Sequence, residues 1–170
     1  GFELLCRSAD KIRSDSYDAI ANVCKALRLH GLILLGGPRT ATDAAYLAEY
    51  LLTSTDCKTS IITSPLTISG SIRNQFVETT IGFDTASKCA SQIVGNNSTD
   101  GASAKKYYYF QRLMGQEPSN IALEVALSTK PNYTILAEEV EANNTTLAGV
   151  VKEIADMVQE RSKRGLNYGR

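Results

Sequence analysis

The feature that most narrows the fold is a four-residue apolar run, Leu32-Ile33-Leu34-Leu35, abutting Gly36-Gly37-Pro38 and a helical pattern from about Thr42 to Leu52. An uninterrupted apolar strand marks a central parallel strand covered on both faces. Two glycines between such a strand and a helix make the tight turn of an α/β domain. The alternation recurs along the chain. Ser14 or Asp15 can cap a helix running to about Leu29, with Ile20, Val23, Cys24 and Leu27 at helical spacing and His30-Gly31 closing it. Residues 59–62 read as a second strand, 84–94 as a helix, 95–104 as a small, polar loop, and 106–113 as a third strand. Ser119 caps a helix to about Ser128, residues 133–136 form the next strand, and Thr145 or Thr146 opens a last helix to about Arg164. The expected fold class is α/β: a three-layer, doubly wound, mostly parallel sheet, in one partial domain over residues 1–170.

Charge and cysteine usage remove several function classes. Lysines plus arginines equal the acidic residues at 18 each. A neutral chain has no electrostatic footprint for nucleic acid or an anionic membrane. No apolar run approaches membrane-spanning length, and Gly1 opens no secretory signal. Cys6, Cys24, Cys57 and Cys89 lack metal-ligand spacing, and His30 is the one histidine. A zinc site is therefore not expected, and reduced thiols in a cytoplasmic protein are the better reading. Gly1-Phe2-Glu3 reads as the middle of a domain and residues 165–170 as an unpacked ending. The expectation is a piece of a longer polypeptide, or a subunit with neighbours outside it.

Residues 63–86, TSPLTISGSIRNQFVETTIGFDTA, attract the functional argument. The stretch follows a strand, where ligands of α/β domains sit, and it is too long for a plain connector. It gathers Thr67, Ser69, Ser71, Asn74 and the cation Arg73. Gly36 and Gly37, at another strand end, are where a backbone can approach a phosphate under a helix N-terminus; the alternative is a tight turn and nothing more. The following Pro38 removes one backbone donor. An anion near Arg39 and Thr40 competes with a merely solvated arginine.

Residues 63–86 are also where the chain resembles the phosphofructokinases, specifically the long, pyrophosphate-dependent branch. The shared residues are Thr67, Ile68 and Gly70 and the whole Gly82-Phe83-Asp84-Thr85-Ala86. The likeness continues through Lys106–Gly115 (KYYYFQRLMG) and Glu138-Glu139-Val140. The variant Asn74-Gln75-Phe76-Val77-Glu78 resembles the regulatory, non-catalytic alpha-type subunit.

The resemblance implies that Ser69 and Ser71 stand where active members carry two aspartates, with Thr67 and Arg73 beside them. It implies phosphate contacts at Gly36, Gly37, Arg39 and Thr40, with Pro38 and Arg39 where active members have aspartates that help hold magnesium. It implies sugar-phosphate contacts at Met114, Gly115, Gln116 and Glu138, Gln116 replacing an arginine. Active members use magnesium; this segment is expected to retain no metal and no cofactor. Phosphoryl transfer to a hydroxyl needs a carboxylate to take its proton, and an unactivated serine is no substitute. Asp84 is read as the cap of the following helix.

The expected function is a non-catalytic or regulatory part of a pyrophosphate-dependent fructose-6-phosphate 1-phosphotransferase in glycolysis. Its expected partner is a catalytic sister subunit or a fused catalytic half. Fructose 6-phosphate or fructose 2,6-bisphosphate is its candidate ligand, through Arg73, Thr67 and Arg39. The competing reading is an active 6-phosphofructokinase, with pyrophosphate or ATP as donor, whose base is rearranged to Asp84 or Glu138.

Overall fold

A computed structural model describes residues 2–115 and 118–169 of the chain. They divide into two compact units, Gly1–Leu66 and Thr67–Arg170.

The first unit is strand, helix and strand with two further helices. After a short helix α1 (Phe2–Leu5), a 3-10 turn at Ser14–Ser16 leads into α2 (Tyr17–Ala26). The expected cap at Ser14 or Asp15 is replaced by Ser16, whose hydroxyl donates to the Arg13 carbonyl (2.7 Å) and accepts from the Arg13 N–H (3.1 Å). Helix α2 ends earlier than expected because Arg28 turns left-handed (φ 51°) and the Leu29 N–H returns to the Cys24 carbonyl. Gly31 therefore belongs to the next strand rather than to a helix cap. Strands β1 (Gly31–Gly36) and β2 (Ser60–Pro65) pair in parallel, Gly31 opposite Ser60 through Gly36 opposite Pro65. Between them runs α3 (Pro38–Ser54), which packs on both strands.

Leu47 and Leu51 of α3 are wholly buried with Ala21, Cys24 and Cys57. The alternating burial of β1 shows that α3 covers one face of this sheet. Ile33, Leu35 and Ile62, on the other face, are 64, 53 and 57% exposed within the described residues. Coverage on both faces was the expectation from the apolar run; within the described residues α3 covers one face, and the expected α/β class with its parallel strand pairing stands. Val23 and Leu27, expected inward on α2, are likewise exposed.

The second unit is mostly helical: α4 (Phe83–Ala104), α5 (Asn120–Thr129), α6 (Ala137–Ala142) and α7 (Leu147–Lys163). Its core is Val94 of α4 against Ile121 and Val125 of α5. Helix α4 runs ten residues past its expected end at Val94, through Gly95-Asn96-Asn97-Ser98-Thr99-Asp100-Gly101. These are poor helix formers, but contacts override the propensity. Ser98 and Thr99 point their hydroxyls back to the carbonyls of Val94 (2.7 Å) and Gly95 (3.1 Å), which satisfies them without adding to helix stability. The Tyr109 ring packs on Gly101, where an added Cβ would stand 3.1 Å from the ring.

Two expected strands are not strands. Residues 106–113 make one parallel bridge, Tyr108 to Gly169, and residues 133–136 make none among the described residues. A strand needs a neighbour to satisfy its backbone, and pattern alone does not supply one. The alternation of the three tyrosines holds even so. Tyr107 and Tyr109 pack ring against ring at 6.4 Å, while the Tyr108 hydroxyl donates to the Leu166 carbonyl (2.9 Å). That bond, with Arg161 donating to the Tyr168 carbonyl (2.7 Å) and Tyr109 N–H to Gly169 (3.0 Å), packs residues 165–169 that were expected to be loose.

Candidate functional site

In the first unit, Gly36 and Gly37 form the β1–α3 turn. Gly37 is the residue before the helix and Pro38 occupies its first turn, where a missing N–H costs nothing. Gly36 is required sterically: a Cβ there would lie 2.5 Å from Thr40 Cβ and 2.8 Å from its Cγ2. The Thr40 side chain thus packs back on the turn. Its carbonyl taken by the Leu66 N–H (2.8 Å), Gly36 is fixed between α3 and the exit of β2. Arg39 is exposed on the first turn of α3.

In the second unit, Thr67, Ser69 and Ser71 form a chain of hydroxyls. Thr67 Oγ1 and Ser69 Oγ lie 2.9 Å apart, and Ser69 Oγ donates to Ser71 Oγ at 3.0 Å. Each serine's N–H also points to the preceding hydroxyl in the chain, at 3.3 and 3.4 Å. The sequence suits this arrangement because alternate residues carry short polar side chains, and such side chains bond to backbone two residues on.

Three further contacts fix the loop. Thr80 is buried and donates to the Thr67 carbonyl (2.7 Å), and the Thr67 N–H reaches the Ile81 carbonyl (3.1 Å). Asn120, the first residue of α5, donates through Nδ2 to the carbonyls of Ser69 (3.2 Å) and Gly70 (3.1 Å). Gly70 is left-handed (φ 65°), with the Phe83 ring 3.1 Å from where a Cβ would stand. Asn120 and Thr80 were not singled out from sequence. Nothing local marks them, since their partners lie 13 to 51 positions away.

Arg73 is exposed and has no ion-pair partner among the described residues. Beyond it, Asn74 closes a turn, its side chain accepting from the N–H groups of Phe76 (2.8 Å) and Val77 (3.1 Å). The turn presents Phe76 at 86% exposure.

Neither carboxylate considered as a substitute base is free. Asp84 lies in the first turn of α4, but Gly82 is the residue before the helix, so Asp84 is not its cap. It pairs with Lys88 (2.9 Å), and the pairing raises the lysine's pKa. Glu138 lies on α6 rather than in a loop, and its Oε1 accepts the Ser119 N–H at 2.7 Å. That backbone bond, then the Ser119 hydroxyl, hold the Glu138 carboxyl below its ordinary pKa. A depressed pKa is the wrong direction for taking a proton at neutral pH. Ser119 was expected to cap α5 with its hydroxyl. Instead that hydroxyl accepts from the Ala137 N–H (3.3 Å), and Glu138 serves the helix start.

Met114 and Gly115 line a cavity of about 590 Å³ together with Ser69, Arg112 and Ser119. Most of its remaining wall is apolar, from α5 and α7: Ile121, Val125, Ile154 and Met157 among others. Gln116 lies outside the described residues.

The donor set does not fit magnesium. A hard divalent ion takes carboxylates and water in octahedral array, whereas the loop offers neutral hydroxyls already bonded to one another. Among the described residues no cluster of three or more carboxylates, histidines or cysteines could hold a metal ion, and no helix is long and apolar enough to cross a membrane.

Comparison with known proteins gives a consistent picture. Residues 2–166 match the family described as phosphofructokinase. The chain is 45% identical, over 170 residues, to the alpha subunit of pyrophosphate–fructose 6-phosphate 1-phosphotransferase from Solanum tuberosum, covering 99% of this chain and 27% of that protein. It is 43% identical to the Entamoeba histolytica enzyme of that name, covering 99% of this chain and 31% of the relative. It is 42% identical to the Solanum tuberosum beta subunit, covering 99% and 30%. The chain thus spans between a quarter and a third of the length of these relatives. Alpha and beta subunits differ by three points of identity to it (45 against 42%), too little to assign its role by percentage alone.

Proposed function

The chain belongs to the phosphofructokinase family, and from that premise we propose that it is a non-catalytic, regulatory part of a pyrophosphate-dependent fructose-6-phosphate 1-phosphotransferase. The observation that carries this reading is the closed hydroxyl chain Thr67–Ser69–Ser71. Transfer to a sugar hydroxyl needs a group that takes its proton, and losing such a base typically costs about 10²–10⁴-fold. Ser69 and Ser71 supply no base at neutral pH. Asp84 and Glu138 are engaged by Lys88 and by the Ser119 N–H, so no observation favours an active enzyme with a relocated base. The same hydroxyls suit no magnesium ion, and none is assigned to this segment.

The segment would act beside a catalytic copy, as a sister subunit or a fused half. It would keep the loop geometry while contributing binding rather than chemistry. Arg73 and the Thr67 hydroxyl are the groups for a sugar phosphate such as fructose 6-phosphate or fructose 2,6-bisphosphate. Met114, Gly115 and the neighbouring Gln116 offer little charge for it. Within the first unit, Gly36, Gly37, Arg39 and Thr40 at the β1–α3 turn are separate candidates for a phosphate contact.

Reconstitution tests the proposal. Adding the complete polypeptide to a catalytic copy should change the copy's response to fructose 2,6-bisphosphate, and Arg73→Ala should abolish that change. A catalytic copy whose turnover and effector response are the same with and without the polypeptide would overturn it.

A further inference from the structure

The bridge between Tyr108 and Gly169 is one rung of a parallel ladder. The Gly169 N–H donates to the Tyr107 carbonyl (2.9 Å), and the Gly169 carbonyl accepts from the Tyr109 N–H (3.0 Å). A Cβ at Gly169 would stand 2.8 Å from the Tyr108 ring and press on the Asn132 side chain. Gly169 therefore passes between residues 108 and 132, near the starts of the two runs that alternation marks as strands.

Past those points neither run has a backbone partner. Among the described residues, the N–H and carbonyl groups of residues 110–113 and 133–135 make no backbone hydrogen bond. Both runs line the 590 Å³ cavity, whose wall from α5 and α7 is apolar. Gln111, on the same wall, has its Nε2 buried with no hydrogen-bond partner among the described residues. Backbone groups facing an apolar cavity need partners. A strand supplies them at every second residue along each run, which a small ligand does not.

We propose that this cavity is the slot of a further parallel strand of the same polypeptide, running on from Gly169 between residues 107–113 and 132–136 and making strands of both. The rung at Gly169 sets its register. The second residue after Gly169 bonds the Tyr109 carbonyl and the Gln111 N–H; the fourth bonds the Gln111 carbonyl and the Leu113 N–H. The walls set its composition: an uninterrupted apolar run, as in a parallel strand covered by helices, with one polar group in reach of Gln111. The Solanum tuberosum alpha subunit, 27% of which this chain covers, is long enough to carry such a strand. Met114 and Gly115 follow residues 107–113 directly, so the strand would also fix their position. The slot is the same whether the copy is catalytic or regulatory.

The test is amide hydrogen exchange of the complete polypeptide, resolved to single residues. The Gln111 and Leu113 amides should exchange about 100-fold or more slower than unbonded amides, as Tyr109 does. Gly169→Val drives a side chain between Tyr108 and Asn132; it should speed exchange at Gln111 and Leu113 while α3 keeps its protection. Free exchange at Gln111 and Leu113 beside a protected Tyr109 would overturn the proposal. So would protection that appears only on adding fructose 6-phosphate, or only as protein concentration rises, because the occupant would then be a small ligand or a second copy. Exchange of the unmutated polypeptide decides the matter, so a variant that fails to fold leaves the result intact.

Discussion

The β1–α3 turn and the loop of residues 67–82 follow strand ends in the same way, yet they are built by opposite means. The turn is set by backbone and sterics: Gly36 beneath Thr40 and held by the Leu66 N–H, Gly37 before the helix, Pro38 in its first turn. The loop is set by polar side chains reaching from elsewhere in the chain, Thr80 to Thr67 and Asn120 to Ser69 and Gly70. A site of the first kind tolerates change in its polar groups but not in its volume. One of the second kind fails when a donor is lost, although left-handed Gly70 beneath Phe83 ties it to glycine at one point as well.

The largest expected effect sharpens the contrast by removing volume from the first unit. Leu47 is 0% exposed, and Leu47→Ala should cost about 2–5 kcal/mol. It should lower the urea midpoint while leaving the hydroxyl loop's own amide protection unchanged. Gly36→Ala comes next: a methyl driven into Thr40 should cost about 1–3 kcal/mol by overpacking, read from the same midpoint. If Gly36→Ala were neutral, the steric account of the turn would be broken. Asn120→Ala leaves the Ser69 and Gly70 carbonyls without their donor and should cost about 1–2 kcal/mol, seen as faster hydrogen exchange confined to residues near 69–71.

The smallest effect is a pH dependence. With its pKa depressed in the folded chain, Glu138 contributes stability that is present above the ordinary carboxylate pKa and lost as pH falls through the lower folded value. Since the carboxylate is exposed, the change is small. Glu138→Gln should flatten the acid limb of the stability profile slightly and leave the neutral plateau nearly unchanged.

What could be read from the sequence divides along the same line. Both strands and α3 in the first unit follow from local pattern: an apolar run, two glycines, then helical spacing. The hydroxyl loop was legible as a candidate because its polar residues are dense, but its clamps were not. Asn120 is an ordinary first residue of a helix until its partners are placed beside it. The strands expected at residues 106–113 and 133–136 show the limit of periodicity, since pairing depends on a neighbour that alternation cannot name. Helix α4 shows the converse: glycine, asparagine and serine predicted a loop, yet the segment is helical, with the Tyr109 ring packed on Gly101. Glu138 and Ser119 each serve the other's helix start, a pairing that the expected cap at Ser119 and sugar-phosphate contact at Glu138 did not anticipate, because two helix starts lie close together.

The central claim is that hydroxyls, closed on one another, occupy the place where proton transfer would need a carboxylate. Its most direct test is steady-state turnover of fructose 6-phosphate with pyrophosphate by the complete polypeptide, purified free of any catalytic copy. The account predicts a rate indistinguishable from the assay without protein. Sustained turnover that Asp84→Asn or Glu138→Gln abolishes would contradict it.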